Sequence, residues 1–238
     1  TRQEVFAGSA NGEWNDQVVD LAAFAGQVVR LELASESAGA GRVAWSVPRI
    51  LVPHVDRPTI EPARNVVVLL IDTLRADKLR PFNPRSRVEA PTIDALAQAG
   101  AVFELAQSPE NWTKPSVASV LTGLYPMTHR QKTESSSLPP SAVLLSEHLK
   151  EQGFRTASFI ANGYVSDRFG FNQGWDHYTN YIREGKSTEA ENVFAEAAAW
   201  IEANRGERFF TYIQTIDPHV PYDPPAEYLR RYDARADY

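Results

Sequence analysis

No cysteine occurs in the 238 residues, which excludes disulfides and thiolate metal sites; the absence suits a reducing compartment and an undecorated secreted chain equally. Long apolar runs are missing too. No stretch approaches the roughly 20 residues that a membrane-spanning helix needs, and nothing signal-like follows Thr1, as a processed N-terminus would also show. A cationic excess is lacking as well: 24 Lys and Arg stand against 30 Asp and Glu, a formal charge of −6. That balance argues against a general nucleic-acid surface while leaving room for a local cationic pocket. There is no internal repeat and no low-complexity tract. What is present, 43% hydrophobic and 23% charged residues, can bury a core and lies in the range of one large or two small domains.

Residues 1–53 read as a β-rich segment. Val29, Leu31 and Leu33 alternate with Val28, Arg30 and Glu32, and Val43, Trp45 and Val47 alternate likewise, the period-two pattern of half-buried strands. Gly26, Gly39 and Gly41 supply turns. With Trp14 and the run DLAAFAG, the pattern loosely resembles the last strands of a jelly-roll or carbohydrate-binding sandwich, of which two or three strands are only a part. Pro48, Pro53, Pro58 and Pro62 then mark an extended linker, assigned to 54–64, because proline fixes its own φ and disfavours helix in the residue before it.

From residue 65 onward strand and helix patterns alternate. Strands are expected over 65–71, 101–104, 155–160 and 208–216, and helices over 91–99, 114–121, 142–152 and 189–204. This order implies an α/β domain with a parallel-dominated sheet and helices on both faces, the run 65–71 being its central strand. Ser141 and Thr188 suit N-caps, Glu191 would complete a capping box with Thr188, and Gly100, Gly153 and Gly206 suit helix ends.

Chemistry gathers in two places. The run NVVVLLID delivers Asp72 to the carboxyl edge of the sheet, where open α/β folds place their sites. In NWTKPSVASVLTGLYP, Thr113 stands at a helix start, where free backbone N–H groups and the helix dipole favour an anion. Each residue also has a plainer role available. Asp72 could cap the following turn or pair with Arg75, Asp77 reads as a surface acid, and Thr113 could be an ordinary N-cap ahead of Pro115. Ser116 reads as bonding local backbone. Lys114 is either a cation for ester oxygens or a solvated side chain. His219 and Asp217, in IDPHVPYDPP after a predicted strand, come near the same edge as Asp72. His129 reads as a loop brace and Trp175 as a packing residue, while His54, His148 and His177 form no constellation.

TKPSVASVLTG is similar to the sulfatase motif Cys/Ser-x-Pro-Ser-Arg followed by a helix and Thr-Gly, and NVVVLLIDTLRADKL and DPHVPYDPP resemble flanking sulfatase segments in the expected order. On these three blocks the region from residue 65 onward resembles a sulfatase-like hydrolase of the alkaline phosphatase superfamily. The resemblance implies an alkaline phosphatase-like three-layer α/β/α fold and a divalent metal, whether Ca, Mg, Mn or Zn. It makes Asp72 a metal ligand, Thr113 both nucleophile and metal ligand, His219 a catalytic residue in contact with substrate or metal, Asp217 a second ligand or the group orienting His219, and Lys114 a substrate contact. It also implies a small anionic ester as substrate, with a carbohydrate-linked alcohol among the options, and a periplasmic or extracellular location.

The departures from the family matter as much. Thr113 occupies the position of the formylglycine precursor and cannot become that aldehyde, and Val117 replaces the motif arginine. RTASFIANGYVS offers Asn162 where sulfatases carry Gly-Lys-Trp-His. Phosphate and phosphonate esters therefore compete with sulfate. No Asp-His-Gly or Asp-Asn-Gly follows Asp223, so residues 65–238 are expected to be an incomplete catalytic domain. Two functions stay open: metal-dependent ester hydrolysis through a threonine, or a catalytically inactive fragment or interaction module.

Overall fold

The computed structural model describes residues 17–27, 29–35 and 63–232. The chain divides into two units, Thr1–Ile60 and Glu61–Tyr238. Among the described residues of the first, one 3-10 turn spans Ala22–Phe24, its entry fixed by the Ala22 N–H donating to Asp20 Oδ1 at 2.8 Å. Residues 29–35 lie in no strand, and Val29, Leu31 and Leu33 are exposed. Their alternation is a strand pattern with no ladder among the described residues, and a strand without a partner leaves its backbone groups to water. The strand expected over 43–47, Trp14, the glycine turn at 39–41 and most of the linker lie outside the described residues.

The second unit begins with β1 (Asn65–Ile71), α1 (Pro91–Ala99), α2 (Thr113–Thr122), α3 (Pro126–His129) and α4 (Leu145–Glu151). It continues with β2 (Arg155–Ile160), β3 (His177–Asn180), α5 (Tyr181–Glu184), α6 (Ala190–Ala203), β4 (Phe209–Thr215) and α7 (Ala226–Tyr232). The four strands form one wholly parallel sheet in the order β1-β4-β2-β3. The parallel α/β architecture is therefore as expected, with one correction. β1 is an outer strand of this sheet, and the inner positions belong to β2 and to β4, which pairs with β1 from Asn65↔Phe209 to Ile71↔Thr215 and with β2 from Arg155↔Phe209 to Ile160↔Gln214.

Two layers of side chains sandwich the sheet. On one face Val117, Ala118 and Leu121 of α2 pack with Leu144, Phe154, Trp175, Phe210 and Tyr212, and Val66, Val68 and Leu70 of β1 lean on the same cluster. On the other, Val193 and Ala197 of α6 close over Ala157, Phe159, Tyr181 and Ile213. Trp175 is the packing residue expected, stacked on Phe210 at 5.3 Å with its indole N–H donating to the Phe171 carbonyl at 2.9 Å.

Local signals misled in three places. Residues 101–104 form no strand and are exposed, because an apolar alternation without a pairing partner has nothing to hold it extended. Helix α4 starts later than Ser141 indicates, with Leu144 as its N-cap and the Glu147 carboxylate accepting the Leu144 N–H at 2.8 Å. The Thr188–Glu191 box does not form. Instead Asp217, from the loop after β4, accepts the Ala190 N–H at 3.0 Å and caps α6 from a distance in sequence.

Candidate active site

Parallel strands end together, and polar side chains stand at or just past the ends of β1, β4 and β2: Asp72, Gln214 and Asn162. The Asp72 N–H continues the ladder by donating to the Thr215 carbonyl at 2.9 Å, and the Ala161 N–H does the same to Gln214 at 2.9 Å. These bonds bring Asp72, Gln214 and Asn162 to one edge. Directly after Asp72 the chain turns sharply, with Thr73 at φ 59°, a left-handed conformation that a β-branched residue rarely adopts.

Helix α2 aims its first residue at this edge. Trp112, extended at φ −144° and ψ 163°, is the N-cap and makes no side-chain cap bond, so Thr113 is the first helical residue rather than the cap. Its hydroxyl donates to Asp72 Oδ2 at 2.9 Å. Pro115 fits the first turn because its missing N–H is one that a helix start leaves unpaired. Ser116 serves the local backbone as expected, donating to the Trp112 carbonyl at 2.8 Å. Gly123 ends the helix at φ 67°, the left-handed position that glycine takes at least cost.

Asp72 Oδ2 accepts two further bonds, from Asn162 Nδ2 at 3.1 Å and from Gln214 Nε2 at 3.2 Å. One carboxylate oxygen thus gathers a hydroxyl and two amides from three separate elements, while Asp72 Oδ1 takes no hydrogen bond from the described residues. Arg75, a possible partner of Asp72 by sequence, pairs instead with Asp77 through two bonds at 2.9 and 2.8 Å, and Asp77 is the surface acid expected. The Arg75 guanidinium holds the Asp77 carboxyl below its usual range.

The other expected site residues have different partners. Lys114 is fully buried; its ammonium donates to the carbonyls of Glu134 at 2.7 Å and Ser136 at 2.9 Å and lies 3.8 Å from the centre of the Phe169 ring. Burial pushes its pKa down, and these contacts tie down the 131–136 loop. Asp217 caps α6. His219 holds its Nδ1 2.8 Å from the Val220 carbonyl, to which it donates. No hydrogen bond or ion pair joins Lys114, Asp217 or His219 to Asp72 or Thr113 among the described residues. His129 braces its loop: Nδ1 accepts the Gln131 N–H at 3.0 Å, so Nε2 carries the proton and donates to Ser119 Oγ at 3.0 Å.

Asn162 and Gln214 are the residues that sequence reasoning undervalued. Asn162 stood out only as the replacement of a motif, and Gln214 not at all, although a glutamine in a strand otherwise made of aromatic, aliphatic and hydroxyl residues is itself a signal. For a divalent cation, Asp72 Oδ1 and the Thr113 hydroxyl are hard oxygen donors of the kind that magnesium or calcium takes. They fit as part of a shell, since no group of three or more His, Cys, Asp or Glu able to hold a metal gathers among the described residues. No helix among them is long and apolar enough to cross a membrane.

The sulfatase family profile matches residues 64–238. An ulvan-active sulfatase of Formosa agariphila is 34% identical over 106 residues, which are 44% of this chain and 20% of that protein. Among solved structures, the phosphonate monoester hydrolase of Silicibacter pomeroyi superposes with a TM-score of 0.60 at 21% identity, over 71% of this chain and 44% of its own. BT4656, solved in complex with its substrate D-glucosamine-2-N,6-O-disulfate, superposes with a TM-score of 0.59 at 17% identity, over 72% of this chain and 38% of its own. The chain therefore spans a fifth of that curated relative and less than half of these solved ones, and at such identities the superpositions establish the fold.

Proposed function

The chain belongs to the sulfatase family, and from that premise we propose that its protein hydrolyses a sulfate, phosphate or phosphonate ester with Thr113 as the nucleophile. The observation that carries this reading is the 2.9 Å hydrogen bond from Thr113 Oγ1 to Asp72 Oδ2 at the carboxyl edge of the sheet. Asp72 Oδ2 takes the hydroxyl proton as Oγ1 attacks sulfur or phosphorus in line. The bond to the leaving alcohol breaks as the new bond to Oγ1 forms, and the departing alkoxide takes up a proton from solvent. Water later cleaves the threonine ester, releasing sulfate, phosphate, a phosphate monoester or the phosphonate and restoring the Thr113 hydroxyl as Asp72 gives up its proton. The free N–H groups of the first turn of α2 face charge that develops beside Thr113.

Asp72 and Thr113 are the residues that would hold a divalent cation here. Such a cation lowers the pKa of the hydroxyl and offsets the charge of the ester. Asp217 and His219 join the site in this reading only if the loop after β4 releases the α6 cap, so their contribution is secondary to that of Asp72. A carbohydrate-linked ester is supported by the ulvan-active relative and by the disulfated glucosamine bound to BT4656. The domain reading retains residues 1–53 as a β-rich module and 54–64 as its linker; the division of the chain between Ile60 and Glu61 supports it.

The test uses the full-length protein with a divalent-metal screen and nitrophenyl esters of sulfate and phosphonate. Thr113→Ala should lose hydrolysis by several orders of magnitude, while Thr113→Ser keeps part of it. Full activity in Thr113→Ala would remove the nucleophile from the mechanism.

A further inference from the structure

The acidic balance of the chain is unevenly spread. Residues 75–87, RADKLRPFNPRSR, hold the cations Arg75, Lys78, Arg80, Arg85 and Arg87 against the single acid Asp77, a net +4 that leaves −10 to the rest of the chain. Asp77 is spent on Arg75. Arg80, Arg85 and Arg87 are exposed, and none has an ion pair or a side-chain hydrogen bond among the described residues. The segment is tied down all the same. Leu79 is buried, Asn83 Nδ2 donates to the Asp77 carbonyl at 2.9 Å, and Ser86 Oγ donates to the Lys78 carbonyl at 2.6 Å. This last bond folds the backbone of 85–87 back beside Lys78, so the charges gather in space as well as in sequence. Like charges held on a fixed loop repel one another, a cost that an anionic partner removes.

The loop leaves the sheet directly after Asp72, and Lys78 stands within about 20 Å of that carboxylate by chain length alone. Its far end is tied to α7, which follows β4 from the same edge: the Glu89 carboxylate pairs with Arg231, and the Tyr232 hydroxyl accepts the Glu89 N–H at 3.1 Å. Arg230 of α7 is exposed and adds a cation with no partner among the described residues. Phe82, 40% exposed, sets an apolar ring among the arginines. We propose that this loop docks a sulfated polysaccharide, holding the polymer by neighbouring sulfates while one ester lies at Thr113. The proposal rests on the reading of the protein as a hydrolase of a carbohydrate-linked ester, and extends it from one ester to a polyanionic chain. Guanidinium forks match the oxygens of a sulfate, and sites joined along one polymer raise the effective concentration of the next ester. Single-stranded nucleic acid also takes cations and aromatic rings, but it needs a ring for each of several successive bases, and this loop exposes one.

The test uses the full-length protein with one divalent cation throughout, and reads the binding of labelled dextran sulfate, unsulfated dextran and oligothymidylate by fluorescence anisotropy. Glutamate at 80, 85 and 87 together (Arg80→Glu, Arg85→Glu, Arg87→Glu) should weaken dextran sulfate at least about 100-fold at low salt. Glutamine at the same three positions should weaken it at least about tenfold and remove about two to three released ions from the salt dependence of Kd; it decides the matter if the glutamate variant fails to fold. Lysine at all three keeps the charge and should stay within about tenfold of the parent. Turnover gives a second reading: with a sulfated polysaccharide as substrate the glutamate variant should raise KM and keep kcat, while kcat/KM for 4-nitrophenyl sulfate stays within about twofold. Thr113→Ala should bind dextran sulfate like the parent. Dextran sulfate held equally by the glutamate and glutamine variants, dextran bound as tightly as dextran sulfate, or oligothymidylate bound more tightly than either overturns the proposal. If the loop variants bind like the parent while Thr113→Ala is inactive, the docking loop alone falls; if they lose the polysaccharide while Thr113→Ala is fully active, the nucleophile falls and the loop stands.

Discussion

β4 and β1 are neighbours of equal length, and they are covered very differently. Every residue of FFTYIQT is buried, between two partner strands and with helices over both faces. NVVVLLI has a partner strand on one side, and on the face away from α2 its Val67 and Leu69 are 50% and 45% exposed. The more uniformly aliphatic strand is the less buried one. Burial belongs to a strand's neighbours rather than to its own side chains, so apolar content alone does not rank strands from centre to edge. The two strands share their carboxyl ends. The register that sets Ile71 against Thr215 brings Asp72 to Gln214, so this contact of the candidate site depends on how β1 meets β4.

Truncating the two strands is the most direct way to break this comparison. Phe210→Ala removes a ring that stacks on Trp175 inside the larger cluster and should cost about 3–5 kcal/mol in urea unfolding. Leu69→Ala should cost under about 1 kcal/mol. Similar losses at both sites would mean that the outer face of β1 is covered in solution.

The contrast recurs on the two sides of α2. Lys114→Ala leaves the Glu134 and Ser136 carbonyls without their donor and removes the contact with Phe169, so it should cost about 2–3 kcal/mol. Val120→Ala, on the exposed side of the same helix, should stay within about 0.5 kcal/mol. If Lys114→Ala left stability unchanged while raising the KM of an anionic ester, the lysine would face substrate after all.

Much of this layout was legible because strongly apolar runs announce strands. The segments at 65–71, 155–160 and 208–216 recur as β1, β2 and, one residue shorter at each end, β4, and the expected helix at 91–99 is α1. β3 was not legible: HYTN is short and polar, and it is a strand because Ala157–Ile160 of β2 pair with it. The α6 cap was illegible for a related reason, since Asp217 lies 27 residues from Ala190 and no local pattern links them. Of the site, Asp72 and Thr113 stand out in the sequence by position and motif. Gln214 stands out in the sequence as an amide in a buried strand, but its place beside Asp72 follows only from the register of β1 and β4.

A smaller effect separates buried from exposed histidine. His129 is buried between Ser119 and Gln131, and burial holds its pKa below the ordinary 6.5. As pH falls through about 6.5 the unfolded chain takes up a proton at this position while the folded chain does not, so the folded state loses stability toward acid. Unfolding free energies measured in urea across about pH 5–7 should show that decline, and His129→Gln should flatten it. An unchanged slope in the variant would assign the decline to other groups.

The smallest expected effect lies where β1 ends. Thr73 is exposed and left-handed at φ 59°, so its side chain brings no packing to offset the strain of a β-branched residue in that conformation. Thr73→Gly removes the strain but gives the unfolded chain more freedom, and these opposing terms should leave a net gain of about 1 kcal/mol or less. The turn also sets the direction in which Asp72 leaves the sheet. If the rigidity of threonine there helps hold Asp72 against Thr113, Asn162 and Gln214, the glycine variant of the full-length protein should be slightly more stable and several-fold slower. A variant that is more stable and equally fast would show that the β1–β4 register alone positions the carboxylate.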